Sequence, residues 1–211
     1  NGSNDKAVAN DNAAQSADPL NAKSTERPFE ETDVAKFDEP WAMSFLPDDR
    51  LLVTEKRGTL KIVDVATGKT GAVQGTPKVD YGGQGGLGDV VIGPNFKADK
   101  MVYLSWVEAG EGDTRGAVVG RGTLNCTQPL ACSLDGLEVI WRQDPKVTGR
   151  GHYSHRIAFS PDGNYMFLAS GERQKKDPAQ DLSNNLGSVL RLNPDGSVPA
   201  ENPFAERGGV S

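Results

Sequence analysis

An all-β chain folded as blades of a β-propeller is what this sequence predicts, and three observations predict it. Glycine and proline are abundant, at 25 and 13 of 211 residues, a level that favours turns and short strands over long helices. Short apolar runs of strand length alternate with turn signals from Pro40 onward, as paired strands require. An anchor also recurs, an apolar residue, one further residue, then proline. It stands as Phe45-Leu46-Pro47, Ile92-Gly93-Pro94 and Phe159-Ser160-Pro161.

The first 33 residues carry few aromatics and many Asn, Ala, Ser and Asp. They cannot bury enough apolar surface to offset the entropy of ordering. Residues 1–33 are therefore expected to be a disordered leader, of the kind left when an export signal is removed. That predicts a periplasmic or secreted protein, and residues 34–211 as the N-terminal part of the propeller domain.

The runs WAMSFLP, RLLVTEK and TLKIVDV, separated by PDDR and RG, predict the first blade. GDVVIGP, KMVYLSWV and GAVVGRGTL predict the second, and HRIAFSP, YMFLASG and SVLRLNP the third. GTLKIVDVATG from Gly58 is echoed by GSVLRLNPDG from Gly187. A repeat of roughly 40–65 residues made of antiparallel strands marks a propeller. One blade cannot bury both its faces, so blades must stack. The chain has room for about three, whereas rings close with about 4–8. A truncated ring is the expectation, and a propeller-like sandwich the alternative.

The net charge is −6. No basic stripe suggests nucleic acid as a partner, and no apolar run is long enough for a membrane span. Cys126 and Cys132, in NCTQPLAC, can close a small loop across Pro129. They are a disulfide candidate in an exported protein and two free thiols in a reduced compartment. One such pair without further ligands cannot hold zinc.

Both histidines, His152 and His155, fall in GHYSHRIAFSPDGNYMFLASGER. Asp162-Gly163 predicts a two-residue hairpin turn. An in-register hairpin sets His152 opposite Arg173 and Tyr153 opposite Glu172, and a slip of one residue sets His152 opposite Glu172. Either way a carboxylate approaches His152, the arrangement of a general base. A structural pair at a hairpin end is the plainer reading. His155 has no such partner and reads as a solvated or packing residue.

YGGQGGLGDV formally contains the dinucleotide-binding glycine pattern, but β-branched residues and Pro94 follow where that pattern needs a helix. The glycines instead suit sharp turns or close approach to a flat ligand, and they display one polar side chain, Gln84. In SGERQKKDPAQDLSNNLG, the residues Asp177, Asp181, Asn184 and Asn185 have side chains that could ligate calcium but lack the spacing of an EF-hand loop, and a solvated loop is the plainer reading.

PWAMSFLPDDRLLVTEKRGTLKIVD, GGQGGLGDV, HYSHRIAFSPDG, GER and AQDLSNNLGSVLRLNPDGSVPAENPF, in that order and spacing, resemble the soluble PQQ-dependent sugar dehydrogenases. These form the glucose/sorbosone dehydrogenase family, and the likeness is closest to its aldose sugar dehydrogenase branch. The resemblance implies a six-bladed propeller with pyrroloquinoline quinone and Ca2+ near its axis. It implies oxidation of aldose sugars to lactones, with an external electron acceptor. It places the family's catalytic histidine on His152, its sugar- and quinone-facing glutamine on Gln84, and its histidine-associated acid on Glu172. This sequence departs from the family at Ser154, where relatives carry glycine, and at His155, where they carry a small residue. Gly151 stands where the glucose enzymes carry aspartate. The family's later calcium- and quinone-binding motifs have no counterpart before Ser211, so this stretch alone is expected to be inactive. A non-catalytic binding propeller of the same fold is the competing expectation.

Overall fold

The computed structural model describes residues 28–205. Most of the predicted leader lies outside the described residues, and residues 28–33 carry no strand. Residues 34–205 fall within one compact unit made of three antiparallel sheets.

The first sheet runs β1 (Pro40–Phe45), β2 (Arg50–Glu55), β3 (Thr59–Asp64) and β4 (Lys69–Val73) in chain order. The second runs β5 (Leu87–Ile92), β6 (Met101–Ala109), β7 (Arg115–Gln128) and β8 (Ala131–Arg142), with one helical turn, α1 (Phe96–Asp99), after β5. The third is β9 (Ser154–Phe159), β10 (Met166–Ser170) and β11 (Ser188–Leu192). These are three consecutive propeller blades. All nine expected strands are present. The two that the apolar runs did not mark, β4 and β8, are the fourth strands of their blades.

The core lies between blades. Leu52, Leu60, Ile62 and Val73 of the first sheet meet Leu87, Val90, Leu104 and Val118 of the second. Tyr103 and Val119 on the second sheet's other side meet Ile157, Met166, Leu168 and Leu190 of the third. Each such side chain contributes about 1.5–3 kcal/mol by leaving water. The middle blade is thus apolar on both faces, and β6 is buried from Val102 to Val107 with no alternation to read. In β9 only one face is covered, so His155 and Ile157 are buried while Ser154, Arg156 and Ala158 are exposed.

The first strands of the blades pack on one another, β1 on β5 and β5 on β9. The residues entering these strands therefore gather at one rim. At the periphery the Gln74 N–H donates to the Cys132 carbonyl at 2.9 Å, and the Leu134 N–H to the Gln74 carbonyl at 2.8 Å. These bonds join the outer strands of the first two blades. A disulfide joins Cys126 to Cys132 across the end of the β7–β8 hairpin.

The β9–β10 connection differs from the expected two-residue turn. Gly163 has a positive φ of 75°, but Asp162 does not. The Gly163 N–H donates to the Ser160 carbonyl at 2.9 Å, and the Ser160 N–H to the Tyr165 carbonyl at 2.9 Å. Pro161 explains this, because its fixed φ suits the second position of a type I turn. The pairing then runs in the expected register, Phe159 with Met166 and Ile157 with Leu168. A bulge shifts it, so that Ser154 pairs with Ser170.

Candidate active site

That bulge supplies the one-residue slip that turns His152 toward Glu172. The His152 Nδ1 pairs with Glu172 Oε1 in a short contact. Glu172 Oε2 accepts the Lys176 backbone N–H at 2.9 Å. The Lys176 N–H and then the imidazole lower the Glu172 carboxyl to about 2, against a small opposing effect of burial. Glu172 is a carboxylate at any ordinary pH, so it can only accept. The neutral imidazole must therefore carry its proton on Nδ1 and leave Nε2 bare. His152 is about half exposed, with 51% of its side-chain surface open to solvent. Among the described residues nothing bonds its Nε2.

Gln84 reaches the same rim. Its Oε1 accepts the His152 backbone N–H at 2.7 Å. Its own N–H donates to the Arg150 carbonyl at 2.8 Å. The Gln84 Nε2 is then the outward group, exposed and without a protein partner among the described residues. Gly83 makes this approach possible. It sits at φ 57°, and a Cβ there would lie 2.5 Å from the Arg150 carbonyl oxygen, closer than any side chain tolerates.

The two loops are also bolted together by charge. Asp80 Oδ1 accepts from Arg150 Nη1 at 2.7 Å, and Oδ2 from Arg115 Nε at 2.8 Å. Partial burial raises the Asp80 carboxyl, and the two guanidinium groups outweigh it, leaving the group below its ordinary range. Asp80, Arg150 and Arg115 were not singled out in the sequence, although Arg150 lies two residues before His152.

His155 is not solvated. It is fully buried, with Nδ1 2.6 Å from Ser105 Oγ and its ring edge-on to Trp41 at 4.6 Å. Among the described residues its Nε2 has no partner. Burial first, then the Arg173 charge, lower its pKa to about 3, so it stays neutral. Gly88 exists for this ring, since a Cβ there would lie 2.0 Å from His155 Cε1. The glycines of YGGQGGLGDV thus serve turns and packing within the protein.

Backbone strain collects here. Among the described residues nine non-glycine positions have positive φ, and six of them are His152, Ser154, His155, Arg173, Gln174 and Lys176. Such positions cluster where surrounding contacts over-determine the chain.

The long loop after β10 is tied within itself and to the segment after β8. Asn185 Oδ1 accepts the Asp144 N–H at 2.7 Å, Asn184 Oδ1 the Leu186 N–H at 2.8 Å, and Asp181 Oδ1 the Ser183 N–H at 2.9 Å. Among the described residues no group of three or more His, Cys, Asp or Glu side chains could hold a metal ion. No described helix is long and apolar enough to cross a membrane, which says nothing of a β-barrel.

Similarity to known proteins identifies the family of the chain. The family model for glucose/sorbosone dehydrogenase matches residues 37–211. The chain is 37% identical over 176 residues to the aldose sugar dehydrogenase YliI of Escherichia coli, covering 83% of this chain and 46% of that protein. It is 26% identical over 197 residues to quinoprotein glucose dehydrogenase B of Acinetobacter calcoaceticus, covering 81% of this chain and 40% of that one. The crystal structure of the soluble aldose sugar dehydrogenase from Escherichia coli, in its apo form, superposes with a TM-score of 0.76 at 36% identity, over 82% of this chain and 49% of that one. The PQQ-bound aldose sugar dehydrogenase of Streptomyces coelicolor superposes with a TM-score of 0.71 at 29% identity, over 80% and 48%. The chain spans about half the length of the curated relatives it matches. It belongs to the glucose/sorbosone dehydrogenase family.

Proposed function

We propose that the full-length protein is a PQQ-dependent aldose dehydrogenase that oxidises the anomeric hydroxyl of a sugar to the lactone. The observation that carries this reading is an exposed imidazole whose Nδ1 is committed to a carboxylate and whose Nε2 is bare. That imidazole can take a hydroxyl proton at Nε2, while Glu172 stabilises the resulting imidazolium through Nδ1–H. The unpartnered Gln84 Nε2 beside it suits an oxygen-rich ligand, so Gln84 and His152 fit as residues that would hold both quinone and sugar. When bound, PQQ supplies the two-electron acceptor for the hydride leaving the anomeric carbon, and an external acceptor then reoxidises it. Calcium, implied by the family resemblance, finds no ligand cluster among the described residues, and no step is assigned to it. The disulfide supports a periplasmic or secreted protein, where such bonds persist.

The test is reconstitution of the full-length protein with PQQ and Ca2+, followed by dye reduction with a panel of aldoses. Sugar-dependent reduction is expected. A folded, PQQ-loaded protein that reduces no dye would overturn the enzymatic reading and leave a binding propeller of the same fold.

A further inference from the structure

Arg173 follows Glu172 in the chain and has no part in the chemistry above. It is 1% exposed. Every polar partner of its guanidinium is a neutral oxygen. Nε donates to the Gly151 carbonyl at 2.9 Å and Nη2 to the Gly149 carbonyl at 2.6 Å. Nη1 donates to the Arg115 carbonyl at 2.7 Å and to Gln143 Oε1 at 3.3 Å. Its Cζ sits 3.7 Å from the centre of the Tyr153 ring. A buried cation without an ion pair among the described residues is costly, and burial holds its pKa below the ordinary guanidinium value despite the Glu172 charge nearby. What the cation grips accounts for its presence.

It grips both flanks of His152. Gly149 and Gly151 precede the histidine and Tyr153 follows it. The Arg173 backbone N–H also donates to the His152 carbonyl at 3.2 Å. Gln143 backs the fork, because its Nε2 donates to Ser170 Oγ at 2.9 Å and to the Gly171 carbonyl at 3.0 Å, which turns Oε1 toward Arg173. The segment so held is strained, with His152 at φ 50°, Ser154 at 58° and His155 at 50°. Each such residue stores backbone strain and needs outside contacts to keep it there.

We infer that Arg173 is the positioning residue of His152: its fork on the Gly149 and Gly151 carbonyls and its stacking on Tyr153 hold the strained turn from which the imidazole reaches Glu172. The kinetic consequence rests on the reading of His152 as the base, whereas the geometric one does not. Lysine cannot replace it, since an ammonium keeps the charge but neither the planar fork nor the stacking.

The test uses the full-length protein with ¹⁵N-labelled histidine, comparing the parent with Arg173→Gln and Arg173→Lys. The His152 imidazole signal is assigned by its loss in His152→Asn. In both arginine variants the His152 nitrogen shifts are expected to move toward a free tautomer mixture. The kcat is expected to fall about ten- to hundred-fold, with KM changed less than about three-fold. A folded Arg173→Gln protein with parental His152 shifts overturns the inference, even if its melting temperature falls. If that variant does not fold, parental shifts in Arg173→Lys overturn it in the same way. A parent protein without dehydrogenase activity sinks the proposed function alone, and the nitrogen signals still decide the role of Arg173.

Discussion

His152 and His155 stand three positions apart and belong to different regions. The first lies in the rim loop, half open to water, with a carboxylate on one nitrogen and nothing on the other. The second lies where the inner strands of the blades meet, buried against Ser105, Trp41 and Gly88. The same side chain presents an open ring nitrogen to solvent in one place and is a neutral packing group in the other. Register decides which, because the bulge in β9 sends one imidazole out toward Glu172 and the other between the sheets.

The contrast breaks most sharply at His152. Replacing it with asparagine should lower kcat of the reconstituted full-length protein by about 10²–10⁴-fold while leaving its urea midpoint unchanged. An unaltered turnover would remove His152 from the base role. Glu172→Gln should cost less, about ten- to hundred-fold in kcat, since the imidazole survives but its tautomer is no longer held. Its pH–rate profile should shift as well, and steady-state kinetics across pH would show whether it does.

On the buried side the effects are read in stability. Gly88→Ala drives a methyl into the His155 ring and should destabilise by about 1–3 kcal/mol in urea titration; an unchanged midpoint would mean the ring is not where the structure places it. The last test concerns His155 and acid. Its folded pKa of about 3 lies below the unfolded value of 6.5. Its contribution to stability is therefore fully present above about 6.5 and is lost as pH falls toward 3, because the unfolded chain binds the proton first. The slope is about 1.4 kcal/mol per pH unit for one proton. His155→Gln should remove that slope from the pH dependence of unfolding, and a slope that survives the substitution would locate the proton elsewhere.

Much of this was legible before any coordinates. Nine strands follow from apolar runs and turn residues, because each packs a face against the next blade. β8 did not follow, since half of its residues are exposed at the periphery and only two are buried. Gln84 stood out as the one polar side chain among glycines, and Glu172 lay within one residue of its place opposite His152. The remaining residue of register was hidden in the bulge, which depends on positive φ at Ser154 and His155, a conformation that neither residue type advertises. Asp80, Arg115, Arg150 and Arg173 were hidden for another reason. The partners that tie them into the site lie far along the chain, as with Arg150 on Asp80, and a charged residue reads as surface until the fold brings its acceptor near.

The hydrogen bond from the His152 main chain to Gln84 Oε1 reaches beyond holding two loops together. It turns the amide so that its NH₂ faces outward, beside an imidazole that offers a lone pair. A visitor to the rim must supply an acceptor for one and a donor for the other. A ring bearing hydroxyls satisfies both demands; an O-methylated ring meets only the amide, and an ammonium group only the imidazole. Under the proposed function, the preference of this rim for a hydroxyl over an ether or an ammonium is thus set by one backbone N–H.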